Sequence, residues 1–192
     1  MSYEYYGRYH KDSCIFRKRR REKLKFFKAI IIFTLFVLVL SACGKSSFKN
    51  ESKEATASVE TTLAEAVKKP NKKSDEIQFY LPFGFEIKDE SPNNIILKNG
   101  SKTYILFNNP QENEESDVVY KATAAQYEDL DVKKEFKQDK KLGFVIIKQM
   151  DADLNELTVG IGGTKITTQV KTSSLKNEAI VMTQIVSSVE NN

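Results

Sequence analysis

The chain has 192 residues, of which 30 are basic, 26 are acidic, two are cysteine and one is histidine. Ten basic and three acidic residues precede residue 43, so residues 43–192 carry 20 basic and 23 acidic residues, a net charge of −3. This charge argues against nucleic-acid binding, which needs a basic stripe on the folded domain. Because His10 and Cys14 also precede residue 43, residues 44–192 cannot form Cys/His zinc sites, disulfides or histidine-dependent nucleophilic sites.

Residues 25–43, KFFKAIIIFTLFVLVLSAC, have the order of a secretory signal: lysines, then an apolar core, then small residues. The apolar core from Ala29 to Leu40 has 12 residues, whereas a membrane-spanning helix needs about 20. This length indicates a signal peptide over residues 1–42. An uncleaved signal anchor with an incidental cysteine is the alternative.

The end of this segment, Leu40-Ser41-Ala42-Cys43, resembles the lipobox of bacterial lipoproteins. The resemblance implies that signal peptidase II cleaves between Ala42 and Cys43 and that Cys43 carries a diacylglyceryl group, with acyl chains such as palmitate. Two acyl chains give stable membrane attachment. The resemblance therefore implies a lipoprotein held on the extracytoplasmic side of the cell membrane, with the lipid bilayer as a partner.

The segment before the signal core is strongly basic, with ten basic residues against three acidic ones in residues 1–28. Positive charge on the cytoplasmic side favours the orientation of an exported chain. Arg20-Arg21 could belong to a twin-arginine signal, but Lys23 stands where that pattern needs an apolar residue. Residues 20–23 can also be encoded by purine-rich codons that resemble a ribosome-binding sequence. Translation could therefore start at Leu24 instead of Met1, with residues 1–23 as a leader.

Residues 43–74 are predicted to be the lipidated N-terminus and a flexible linker, because they are polar and lack sustained apolar periodicity. A random coil of this length spans roughly 30 Å root-mean-square. Residues 56–67 could form a transient helix, but its apolar residues are too few for firm docking. We therefore expect a tether that separates the domain from the membrane.

Residues 75–192 are predicted to form a single domain, since they combine alternating apolar positions with regular turn signals. Asn99-Gly100 is the strongest hairpin signal, and Gly162-Gly163 marks another turn. A helix is expected after Ser116, with Val118, Ala122 and Ala125 on one face. Strands are predicted at residues 77–81, 85–88, 95–98, 103–107, 143–150, 157–161 and 165–170. A closing amphipathic helix follows Ser174, with apolar positions at Leu175, Ala179, Met182, Val186 and Val189.

Runs of strands with tight turns and two separate helices predict an α+β fold, in which a mainly antiparallel sheet packs against two helices. Leu81-Pro82-Phe83-Gly84-Phe85 in the opening strand pair, together with a helix that ends Ile185-Val186-Ser187-Ser188-Val189, resembles small extracytoplasmic domains of Gram-positive lipoproteins. The arrangement over residues 76–190 is also similar in outline to PsbP-like domains.

Two polar motifs are candidate sites. Asp151, Asp153 and Asn155 have the spacing that begins a calcium loop, but Glu156 and Gly162 stand where that loop needs glycine and a bidentate acid. We therefore interpret this motif as a polar hairpin turn. The acidic residues of the second motif precede the helix that is expected after Ser116, which indicates a solvated loop; they are Glu112, Glu114, Glu115 and Asp117.

An aromatic group lies around the Pro82-Phe83-Gly84 turn. Strand alternation directs Phe79 and Phe85 inward, which leaves Tyr80 and Phe83 as a possible partner surface. With no catalytic residues, metal site or cofactor predicted, we expect a non-enzymatic surface lipoprotein that binds or assembles an envelope protein or component. The alternatives are an enzyme that cleaves envelope glycan with carboxylates alone, and a carrier of a small ligand.

Overall fold

The computed structural model describes residues 47–192. The described helices are α1 (Phe48–Leu63), α2 (Val118–Ala124) and α3 (Leu175–Ser187). The strands are β1 (Lys72–Lys73), β2 (Ile77–Phe79), β3 (Glu86–Ser91), β4 (Asn94–Asn99), β5 (Lys102–Asn108), β6 (Val132–Gln138), β7 (Lys141–Asp151), β8 (Leu154–Ile161), β9 (Thr164–Lys171) and β10 (Glu190–Asn191). The predicted signal peptide, the lipobox Leu40–Cys43 and the alternative start at Leu24 lie outside the described residues.

Two antiparallel sheets organise residues 47–192. The large sheet has seven strands in the order β3-β4-β5-β9-β8-β7-β6, and the small sheet has the order β1-β2-β10. The predicted hairpin joins β4 and β5, but its turn is Gly100-Ser101 because Asn99 still pairs with Lys102. The predicted turn at Gly162-Gly163 joins β8 and β9. The predicted α+β fold is therefore confirmed.

One face of the large sheet is covered by α1 and α3, and the core lies between them. The predicted closing helix, α3, contributes Leu175, Met182 and Ile185, all with no exposed surface. They pack against fully buried side chains of the central strands, whose burial supplies most of the driving force for folding; these include Leu97, Ile147, Leu157, Val159 and Ile166.

The prediction of a flexible linker over residues 43–74 is wrong for Phe48–Leu63, which form α1. Ala55 and Val59 are fully buried, and Ser52 and Thr62 are buried beside them. This face has small side chains and hydroxyl groups, so it can lie close to α3 although its hydropathy is low. Glu54 also forms an ion pair with Lys176 of α3, at 2.9 Å between Oε2 and Nζ.

Two further details differ from the sequence-based expectation. Val118, Ala122 and Ala125 are exposed, and the buried face of α2 is formed by Val119, Tyr120, Thr123 and Ala124. The strand β6 was not predicted because it lies at the sheet edge. Phe136 is its one buried side chain, in a strand that otherwise carries mostly charged residues.

The second face of the large sheet is only partly covered. The helix α2 packs over Leu142, Phe144 and Ile146 of β7, while the strands β5, β9 and β8 leave part of this face open to solvent. No helix within residues 47–192 has the length and apolar character needed to cross a membrane. The open part of the sheet, bordered by α2, forms a concave surface.

Candidate binding groove

The Asp151–Asn155 motif is a polar turn between β7 and β8, as interpreted from the sequence. Asp151 Oδ1 accepts the Ala152 backbone N–H at 2.7 Å, and Asp153 Oδ1 accepts the Thr172 backbone N–H at 3.3 Å. Asn155 is fully buried and donates to Thr172 Oγ1 at 3.0 Å. These side chains therefore fasten the hairpin to the segment that follows β9.

The acidic run also has a structural role. Glu114 pairs with Lys141 at 2.7 Å, and Asp117, the residue before α2, pairs with Lys121 of that helix at 2.6 Å. The loop lies directly over the β8–β9 turn, since a Cβ atom on Gly162 would be 2.2 Å from the Asn113 carbonyl oxygen. Gly162 also has φ 51°, so a larger residue there would be strained as well as crowded.

A buried carboxylate lies between α3 and the β4–β5 hairpin. Glu178 accepts the Tyr104 O–H at 2.8 Å and is also paired with Lys102. Burial, followed by this hydrogen bond and the charge of Glu178, raises the pKa of Tyr104. Both carboxylate oxygens have protein partners, so this cluster holds the helix to the sheet.

The structure places the predicted aromatic surface at a turn. Phe79 is fully buried, and Phe85 packs against Tyr104 with 4.9 Å between ring centroids. Tyr80 is half-buried and donates its backbone N–H to Ser188 Oγ at 2.8 Å. Phe83 is the fully exposed member of the group.

A groove with a volume of about 470 Å³ lies between α2 and the open part of the large sheet. Its sheet wall follows from the strand register, which pairs Phe107 with Lys165 and Ile105 with Thr167 across β5 and β9. A second depression of about 600 Å³ adjoins it along the strands and shares Ile105, Glu156 and Thr167. The groove is lined by Ile105, Phe107, Val118, Tyr127, Glu156 and Lys165, among others.

Lys165 is the cationic group of the groove. Its Nζ donates to Thr123 Oγ1 at 2.9 Å and lies 5.8 Å from the centroid of the Phe107 ring. Among residues 47–192, no carboxylate lies within 4.0 Å of this ammonium group. Burial lowers the pKa of Lys165, and the charge of Glu156 acts in the opposite direction.

Glu156 and Tyr127 form the second polar element of the groove. The Tyr127 O–H donates to Glu156, and burial, followed by this hydrogen bond, raises the pKa of Tyr127 to about 12. Deeper in the sheet wall, the Thr158 and Thr167 hydroxyl groups are 2.9 Å apart. The groove therefore combines a cation that has no carboxylate partner among residues 47–192, a carboxylate already bonded to a phenol, and apolar walls.

The sequence analysis did not identify the groove residues. Phe107, Tyr127, Glu156 and Lys165 are far apart in the chain, and the order β5-β9-β8 brings them together. No short motif marks them. One signal in the sequence could have indicated Lys165. It lies between Thr164 and Ile166 in a strand whose side chains alternate between the two faces of the sheet, so it lies on the face opposite to the buried Ile166.

The sequence matches no family model and shows no significant similarity to any characterised protein with which it was compared. The resemblances to lipoproteins and to PsbP-like domains remain predictions. The functional argument therefore depends on the chemistry of the groove and of the N-terminal segment.

Proposed function

We propose that this protein is a lipid-anchored binding protein of the cell surface, held on the extracytoplasmic side of the membrane through Cys43. Its groove binds an envelope component or small molecule that carries an anionic group on an apolar body. The observation that carries the proposal is Lys165, a half-buried ammonium group without a carboxylate partner among the described residues.

The side chain of Lys165 supports this ligand class in two ways. An ammonium group has three N–H donors, and the contacts above assign one of them to Thr123. Partial burial of an unpaired charge also costs free energy, which a bound anion would offset. The apolar walls at Ile105 and Phe107 would contact the rest of the ligand.

The groove supports a binding role more than an enzymatic one. Its volume of about 470 Å³ is within the usual range for small-molecule sites, roughly 300–1,000 Å³. Glycan cleavage normally uses two carboxylates flanking the scissile bond. Glu156 is the one carboxylate among the described groove residues, and it is already bonded to Tyr127. A small-ligand carrier is therefore the favoured form of the binding role.

The test uses 4-phenylbutyrate as a minimal apolar anion and 4-phenylbutanol as its uncharged counterpart. Binding is measured by calorimetry with the chain from residue 43 onward carrying Cys43→Ser, so that no lipid or detergent competes. We expect Lys165→Met to weaken binding of 4-phenylbutyrate by about 10- to 100-fold, the range for a hydrogen bond to a charged group. Binding of the alcohol should be unchanged.

Lys133→Met is the matched control, since Lys133 lies 5.3 Å from the Tyr120 ring centroid, outside the groove lining. Its binding should equal that of the unmodified chain. Equal affinity of Lys165→Met and Lys133→Met for 4-phenylbutyrate would contradict the proposed groove.

The lipid anchor is tested in a separate experiment. In the full chain, Cys43→Ser should abolish incorporation of an alkyne-labelled fatty acid and release the protein from the membrane fraction.

A further inference from the structure

Phe83 is held in water at the tip of a tight turn. Its exposed fraction is 104%, the highest of the exposed large hydrophobic residues among positions 47–192. The Phe85 backbone N–H donates to the Pro82 carbonyl at 3.1 Å, and Gly84 has φ 87°. These are features of a type II turn, which needs glycine at its third position. The turn therefore presents the phenyl ring away from the domain.

Both sides of this turn are fixed to the domain. Asn71 donates from Nδ2 to the Leu81 carbonyl at 3.1 Å and accepts the Leu81 N–H at 2.7 Å. On the other side, Phe85 packs against Tyr104 of β5. The Phe83 ring therefore projects from a rigid base, so little conformational entropy would be lost when it enters an apolar environment.

The turn and the beginning of α1 lie at the same end of the large sheet. A Cβ atom on Gly84 would be 3.6 Å from Asn99 Oδ1, which places the turn beside the β4–β5 hairpin. The helix α1 contacts the segment Thr172–Ser174, which follows the end of β9, and Glu54 pairs with Lys176. Its other end, Leu63, reaches Gly143 at the opposite end of the sheet.

The chain length between Cys43 and α1 limits how far this end can be from a membrane. Phe48 begins α1 only five residues after Cys43, and five extended residues span at most about 18 Å. The roughly 30 Å coil expected from the sequence is therefore mostly replaced by a docked helix. A lipid on Cys43 would keep the end of the domain that carries Phe83 close to the bilayer surface.

We propose that the Pro82–Phe85 turn is a membrane contact, and that Phe83 inserts into the interface of the bilayer to which Cys43 is anchored. This inference rests on the proposed lipid anchor. The lipid bilayer is the partner of Phe83, because a lipid anchor on Cys43 holds the apolar part of the bilayer close to this rigid apolar side chain. Insertion fixes the orientation of the domain, so that the opposite end of the sheet is directed away from the membrane.

The experiment uses the absence of tryptophan from the chain. Phe83→Trp then supplies a single fluorophore at the turn of the full lipidated protein. The protein is reconstituted into phosphatidylcholine–phosphatidylglycerol vesicles with or without brominated acyl chains, which quench tryptophan at the depth of the bromine. We expect a blue-shifted emission and at least twofold quenching by shallowly brominated lipids.

Val118→Trp is the matched control, because Val118 is 49% exposed and lines the groove beside Asn94 and Phe107, at the other end of the large sheet. Its emission should not change with brominated lipids. Flotation of the vesicles reports the anchor independently. Protein that floats without quenching at position 83, or with equal quenching at both positions, would overturn the membrane contact and leave the anchor intact. Protein that fails to float would overturn the anchor and, with it, this inference.

Discussion

Most of the lysines that lie beside a carboxylate in this domain are used to hold elements together. Lys102 pairs with the buried Glu178, and Lys176 pairs with Glu54 between two helices. Lys165 differs, since its assigned partners are the Thr123 hydroxyl group and the Phe107 ring. Neither neutralises its charge, so this residue is a cost to folding that binding of an anion would offset.

Replacement of Lys165 by methionine should therefore stabilise the unliganded domain at neutral pH. Because burial lowers the pKa of Lys165 in the folded state, the unfolded chain binds more protons between this lowered value and about 10.5. The penalty is complete below the folded pKa and disappears as the pH rises to 10.5. We expect Lys165→Met to raise the Tm by about 2–5 °C at pH 7.

This difference in Tm between the variant and the original chain should vanish near pH 10.5, and circular dichroism melts over the pH range provide the measurement. A Tm of Lys165→Met below that of the original chain at pH 7 would show that the contacts with Thr123 and Phe107 outweigh the cost of burial.

Among the elements, those with a strong local pattern were predicted and those that depend on distant partners were not. Asn-Gly between strands is a strong local signal for a hairpin, and the apolar spacing of α3 is visible in the sequence alone. The face of α1 consists of small and hydroxyl residues, such as Ala55 and Thr62. Its helical state depends on packing against α3, which the local sequence does not contain.

The candidate site shows the same limit. Tyr80 and Phe83 could be named because the aromatic group lies within one short segment, and strand alternation correctly indicated that Phe79 is buried. Phe83 is exposed because it lies in the Pro82–Phe85 turn, to which strand alternation does not apply. The groove could not be predicted, since it forms only when β9 lies between β5 and β8. A strand order of this kind is set by the whole core and not by any one segment.

The docking of α1 gives an element-scale prediction. Val59→Ala removes two methyl groups from a fully buried position of α1 and should lower the free energy of unfolding by about 2 kcal/mol. Val67→Ala, at a position that is 51% exposed beyond the helix, should change it by less than about 0.5 kcal/mol. Urea denaturation measures both. Equal stability of the two variants would mean that α1 does not belong to the cooperative core.

At the scale of the whole molecule, the two ends of the described chain meet. The helix α1 packs on α3, and β2 pairs with β10 at Gln78 and Glu190. The central strands β5 and β9 are also paired although more than fifty residues separate them. These contacts between distant parts of the sequence must form before the fold is complete, which slows folding.

Removal of α3 should abolish the folded state. A chain that ends at Lys171 lacks Leu175, Met182 and Ile185, the fully buried side chains with which α3 covers the sheet. We therefore expect this chain to show no cooperative thermal transition. A chain that ends at Ser188 lacks only β10 and should keep the transition at a lower Tm. Circular dichroism distinguishes the two, and a cooperative transition in the shorter chain would contradict this account of the core.

The contact between α1 and α3 also imposes an order in time. The first helix of the domain leaves the ribosome more than a hundred residues before the helix on which it packs. Until that last helix is made, α1 lacks the element with which it makes most of its contacts, and one face of the sheet is incompletely covered. The nascent chain therefore cannot settle into its final structure. For a chain exported as we propose, this delay keeps the polypeptide unfolded, in the state that a narrow translocation channel requires, and folding is completed only on the far side of the membrane.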